Sequence, residues 1–256
     1  MTDVVLLEWT FAPADLFEDR CELQCDGYQF LIESGRAESR VSVEGDAGDC
    51  WAGVRNEMHQ RLDALFLGAQ LLTHQAYTLS KPNVSCLRSN GGIDRYAYPE
   101  TLTTNLPAGT PEVHTTDDAG NIVRDMRRER IGRRNDLAQN AAACITDPVA
   151  NSILRSYAAA VNDPANELIH LYEIRDCLAE RFEGMSEALR EIGIDDDSPW
   201  RRLGQLANVE PLTQGRHRGQ HLGLLREATS QELAEARDIA RSLIDAYLAY
   251  SRRSEG

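Results

Sequence analysis

Residues 147–182 read DPVANSILRSYAAAVNDPANELIHLYEIRDCLAERF, and the punctuation of this stretch decides the fold of the second half of the chain. Asp147-Pro148 and Asp163-Pro164 each place an N-cap residue before a proline at the first helical position, where the missing N–H is not needed. After the first pair, Ile153, Leu154, Tyr157 and Val161 recur on one helical face. After the second, Leu168, Leu171, Tyr172, Leu178 and Phe182 do the same, and Gly184 ends the run. The spacing predicts two amphipathic helices joined by a tight turn.

The same pattern continues downstream. Ser198-Pro199 opens a short helix carrying Trp200, Leu203 and Leu206. Thr229-x-x-Glu232 has the form of a capping box, in which each side chain answers the other's backbone N–H. The helix behind it runs to about Tyr250, with Leu233, Ala236, Ala240, Leu243 and Tyr247 facing inward. Upstream, RRERIGRRNDLAQNAAAC (127–144) lacks breakers except Gly132 and also reads as helix. Helices with short connections pack antiparallel. Residues 121–256 are therefore expected to form a helical bundle, with its core in 147–256.

Residues 1–120 differ in kind. VVLLEWTFA (4–12) is a strand candidate, and CELQCDGYQFLIESGRAESRVSVEG (21–45) reads as strands joined at Asp26-Gly27 and Ser34-Gly35. Trp51, Val54, Met58, Leu62 and Leu65 recur at three and four, which predicts a helix over about Asp49–Leu67. A strand follows near QAYTLSKP (75–82), then loop-rich sequence over 88–112, then a hairpin in VHTTDDAGNIVRD (113–125) turning at DDAGN. The expected class is α+β: a mixed α/β N-terminal domain, 1–120, followed by the bundle.

The chain has 256 residues and a formal net charge of −14, which opposes bulk attraction to nucleic acid. Eight Lys/Arg face nineteen Asp/Glu in residues 1–120, so the acidity is concentrated there. No run approaches eighteen apolar residues, and the N-terminus carries acids where a signal peptide would be basic. A cytoplasmic protein without a membrane span is expected. The six cysteines are scattered, with no CxxC, and read as small buried hydrophobes.

One stretch carries chemistry. Residues 214–221, QGRHRGQH, hold two of the six histidines and two arginines, just before the last helix. His217 and His221 have the i, i+4 spacing of a metal pair, but Arg218 stands where HExxH has glutamate, so no metal is expected. Arg216-x-x-x-x-His221, with the polar His217 after the arginine, resembles the R-x(4–6)-H motif of HEPN domains, which are small helical bundles. The resemblance covers about residues 147–256.

The resemblance implies a homodimer in which two Arg–His pairs face one cleft and cleave RNA by 2′-OH attack, with no metal or cofactor. Arg216 would stabilise charge on the phosphate, His221 would shuttle protons, and His217 would orient the pair or contact phosphate. Glu173 and Asp176, on the second bundle helix, would orient Arg216 or His221 from below. Arg218 would contact RNA. Arg127, Arg130 and Arg134 share a helical face that could track phosphates, or form a solvated face partnered by Asp125, Glu129 and Asp136. The expected role is a toxin or antiphage endoribonuclease, with a protein partner at the acidic N-terminal domain. The alternative is a non-catalytic dimerisation and partner-binding module.

Overall fold

The computed structural model describes residues 2–25, 27–44, 47–96, 114–116, 122–220 and 223–254. His221, Asp26, the DDAGN turn and residues 97–113 lie outside them, as does the side chain of Trp51. The chain is α+β: an N-terminal antiparallel sheet followed by helices. It divides into two compact units, 1–69 with 77–142, and 70–76 with 143–256.

In the first unit, β1 (Thr2–Ala12), β2 (Cys21–Cys25), β3 (Tyr28–Glu33), β4 (Arg36–Glu44), β6 (Asn83–Leu87) and β7 (Ile93–Tyr96) form one sheet in the order β2-β3-β4-β1-β6-β7. The short β5 (Thr78–Leu79) pairs with the end of β1. Every pairing is antiparallel. Strand alternation sets the faces: Val5, Leu7, Trp9 and Phe11 are buried, while Glu8 between them is exposed. The β3–β4 turn falls at Ser34-Gly35, both with positive φ (47° and 80°), the conformation a two-residue hairpin needs.

Helix α1 (Ala47–Thr73) presents Met58, Leu62, Leu65 and Phe66 to the buried side of the sheet, where Phe66 meets Phe11 edge-on at 4.9 Å. It runs six residues past the expected end at Leu67. Ala64 through Leu71 are all buried, the polar Gln70 included, so no exposed position marks a helical period there. The expected hairpin is present as β8 (His114–Thr116) paired with β9 (Ile122–Asp125). Strand β7 falls inside the stretch read as loop, because Gly91-Gly92 turn the chain tightly enough to pair Leu87 with Ile93.

Helix α2 (Met126–Ala143) belongs to the first unit, so the compact units part at 142/143 rather than at 120/121. Its Leu137, Ala138, Ala141 and Ala142 are buried. Gly68 of α1 permits the approach: a Cβ there would lie 2.4 Å from the Leu137 carbonyl oxygen.

The second unit contains α3 (Pro148–Asn162), a 3-10 turn at Pro164–Asn166, α4 (Glu167–Arg181), α5 (Met185–Ile192), α6 (Ser198–Gly204), a π-helical turn at Gln205–Val209 and α7 (Ser230–Ser254). Ile153, Leu154, Tyr157, Leu168, Leu171, Leu178, Trp200, Leu203, Leu206, Ala236, Ala240, Leu243 and Tyr247 are buried as the periodicity requires. Val161, Phe182 and Leu233 are only half-buried. Asp147 caps α3 through Val149 N (2.8 Å) and Ala150 N (3.3 Å), and its other oxygen accepts from Tyr247 and Ser251 of α7 at 2.8 Å each. These hydroxyls and amides hold its carboxyl below the ordinary range despite burial.

The other two Asx/Ser-Pro signals act differently. Pro164 starts a 3-10 turn with no side-chain cap, and α4 begins behind it. At Ser198 the cap comes from Asp196, which accepts from the Ser198 amide (2.9 Å) and hydroxyl. Gly184 does end α4, and it also precedes α5, a helix of eight residues that no cap or proline announces.

Candidate functional site

The described part of the QGRHRGQH segment, 214–220, lies in a loop between the π-helical turn and α7, and its backbone is pinned at its start. The Arg216 amide donates to the Ala207 carbonyl at 2.7 Å. Gly215 is required there, since a Cβ would come within 2.9 Å of that same oxygen. Leu212 and Arg226 form an isolated parallel bridge, with Thr213 N to Arg226 O and Arg226 N to Pro211 O both at 2.9 Å. Gln214 Oε1 accepts from Ala228 N at 3.0 Å, which ties the two limbs again. The loop starts as a fixed platform.

Side chains dock this platform onto α4. Arg216 donates from Nη1 to Asp176 Oδ2 at 3.0 Å, and its guanidinium carbon stands 4.6 Å from the ring centre of Tyr172. The pair is open to solvent, with the Arg216 side chain 39% exposed and that of Asp176 51%. Arg218 folds back: Nε donates to the Gly215 carbonyl at 3.0 Å, and Nη2 to the Ala165 carbonyl at 3.1 Å and to Asn166 Oδ1. Arg218 thus joins the loop to the start of α4 through Nε and Nη2. His217 is exposed, and its carbonyl accepts from Gln220 N at 3.0 Å across the 3-10 turn Arg218–Gln220.

The acidic residues expected beneath the motif separate. Asp176 reaches Arg216. Glu173 does not; it pairs with His170 at 3.4 Å and accepts from Ser156 at 3.5 Å. Three helical positions divide them, and Glu173 turns towards Ser156 of α3.

The arginine face of α2 is already engaged within its own unit. Arg130 forks onto Glu18 (2.8 and 2.6 Å), and Arg127 pairs with Asp19 and Glu18. The neighbouring arginines lower the Glu18 carboxyl, Arg130 most. Arg134 is 1% exposed, its guanidinium carbon 5.0 Å from the Phe17 ring centre. Burial lowers its pKa, and its Nη1 has no hydrogen-bond partner among the described residues. The acids of the loop between β1 and β2 occupy the positions that phosphates were expected to take. Asp125, Glu129 and Asp136 are the partners that local spacing offers; Arg127 and Arg130 also reach Asp19 and Glu18, over 100 residues away.

A second polar cluster was not anticipated. Glu167, at the first turn of α4, is 1% exposed and receives both Nε and Nη2 of Arg237. His74 Nε2 lies 3.5 Å from Glu167 Oε1, and its Nδ1 is 3.3 Å from the Tyr157 hydroxyl. Burial and Arg237 lower the His74 pKa, and burial pushes the Tyr157 phenol to about 12. His74 has φ +48°, rare for a non-glycine residue, and that positive φ is the only backbone oddity in the cluster.

Among the described residues, Cys21, Cys25, Cys86 and Cys144 are buried free thiols and Cys177 is half-buried. No three His, Cys, Asp or Glu side chains converge as metal ligands among the described residues, and no described helix is long and apolar enough to cross a membrane. Comparison with protein-family models, curated proteins and solved structures found no match.

Proposed function

We propose that the second unit is a HEPN-type endoribonuclease that works without a metal, in the cytoplasm, as a homodimer with a toxin or antiphage role. The observation that carries this reading is the state of Arg216: a guanidinium fixed at the backbone, oriented by Asp176 and Tyr172, yet solvent-accessible. An exposed ion pair contributes about 0–1 kcal/mol and an exposed cation–π contact about as much. A phosphodiester can therefore take the place of Asp176 at small cost. The RNA 2′-OH then attacks the adjacent phosphorus, His221 moves the proton, and Arg216 stabilises the charge that builds on the non-bridging oxygens. His217, exposed beside Arg216, orients the pair or contacts phosphate. The leaving 5′-oxygen takes a proton, and a 2′,3′-cyclic phosphate remains.

The test is RNA cleavage in EDTA by the wild type, Arg216→Ala and His221→Ala. Cleavage that leaves cyclic phosphate ends and is lost in both variants supports the reading; unchanged cleavage in both sinks the mechanism. A second reading, a partner-binding module, is favoured by Leu87 and Ile93, a cross-strand pair exposed by 40% and 53% on the sheet of the first unit. It predicts no cleavage by the wild type.

A further inference from the structure

Tyr172 was placed by its spacing on the buried stripe of α4, and it is buried. Its ring also bears two guanidinium groups. The carbon of Arg216 is 4.6 Å from the ring centre and that of Arg175 is 4.8 Å. Arg175 is itself fixed: Nη1 donates to the Trp200 carbonyl at 3.0 Å, and its carbon lies 5.4 Å from the Trp200 ring centre. Residue 204 is glycine where a Cβ would fall 1.8 Å from Arg175 Nη1. A chain of contacts thus runs from the α6 backbone through Arg175 and Tyr172 to Arg216.

We infer that Tyr172 is a positioning residue for Arg216, holding its guanidinium through the ring face in the orientation that meets the phosphate. The inference rests on the nuclease reading. Asp176 supplies an ion pair that the substrate must displace; the ring contact does not compete with phosphate, because a guanidinium stacks through its face and donates through its edge. Tyr172 keeps Arg216 placed after Asp176 lets go. Its effect belongs in the chemical step and not in substrate binding.

Two measurements test this. The first is the Arg216 side-chain NMR signal, assigned by its loss in Arg216→Ala. It should sit upfield under the ring current, move to its free-chain position in Tyr172→Leu, and stay in Tyr172→Phe. A signal that Tyr172→Leu leaves in place overturns the inference. The second is cleavage kinetics. Tyr172→Leu should lower kcat roughly tenfold with KM held within about twofold, and Tyr172→Phe should restore the rate. In the Arg216→Ala background, Tyr172→Leu should lower the residual rate no further. An equal loss in both backgrounds means Tyr172 only supports the fold, and the inference falls. If Arg216→Ala abolishes cleavage while Tyr172→Leu cleaves like the wild type, the inference falls and the nuclease reading stands. A wild type that does not cleave, or an Arg216→Ala variant that cleaves normally, removes the nuclease reading and this role with it.

Discussion

Glu167 and Arg237 form a two-point pair in which the carboxylate is 1% exposed and the guanidinium keeps an edge in solvent. The pair joins the first turn of α4 to α7. Removing the cation alone leaves a buried charge with His74 as its remaining described neighbour. Arg237→Met should therefore destabilise the protein by about 3 kcal/mol in urea unfolding. The double variant Glu167→Gln/Arg237→Met should recover more than half of that loss. Additive losses would show that the two residues do not act as a unit.

His74 gives the same cluster a pH dependence. Its folded-state pKa lies below the ordinary 6.5, through burial first and Arg237 second, against an opposing pull from Glu167. Tyr157 faces its other nitrogen. The unfolded chain takes the proton first as pH falls, so stability is complete above 6.5 and declines from there down to the folded pKa. Thermal melting of His74→Gln against the wild type between pH 7.5 and 5 should show a flatter slope for the variant. Parallel slopes would remove His74 from the account.

Arg130 grips Glu18 at two points and Arg127 reaches both Glu18 and Asp19, against the single contact of Arg216 to Asp176, which leaves them poorer candidates for RNA contact than Arg216. Arg127→Gln and Arg130→Gln should each leave RNA binding within about twofold and the salt slope unchanged, whereas each lost phosphate contact would lower that slope by about one. The same changes should reduce stability by up to about 1 kcal/mol each. A salt slope that falls would restore the phosphate-tracking role.

The capping box at the head of α7 is complete. Thr229 N donates to Glu232 Oε2 at 2.8 Å and Glu232 N donates to Thr229 Oγ1 at 3.2 Å. Arg226 forks onto the same carboxylate, and with the Thr229 amide it lowers Glu232 to about 2. Its contribution is present above the ordinary 4.5 and is lost as pH falls from there through about 2. A carboxyl NMR titration of Glu232 should give its midpoint near 2, and Thr229→Ala should cost about 1 kcal/mol. A midpoint near 4.5 would mean the fork is open in solution.

The second unit was largely legible in sequence because its signals are local. As helix caps, Asp147, Pro148, Thr229 and Glu232 act within four residues of themselves, and the apolar stripes of α3, α4 and α7 follow one period. Where the signal was long-range, sequence reading stopped. Nothing in the spacing of Arg127, Arg130 and Arg134 points to Glu18 or Phe17, and a buried arginine is the least expected use of that residue type. At the candidate site, Asp176 was named in advance as a partner of Arg216. The ring of Tyr172 was not, since an aromatic residue at a core position gives no sign of what lies on its outer face. Its neighbour Arg175, three residues along the same helix, was the one available hint.

Gln70–Ala76 belongs to the second unit although residues on both sides of it belong to the first. The two units are therefore interleaved in the gene. No single crossover point in recombination can transfer the helical unit whole and alone: a segment beginning at 143 leaves behind His74, whose partners Tyr157 and Glu167 travel with the segment. The helical unit passes to another protein only with residues 77–142 of the first unit attached, or with a substitute for seven residues encoded some seventy codons upstream.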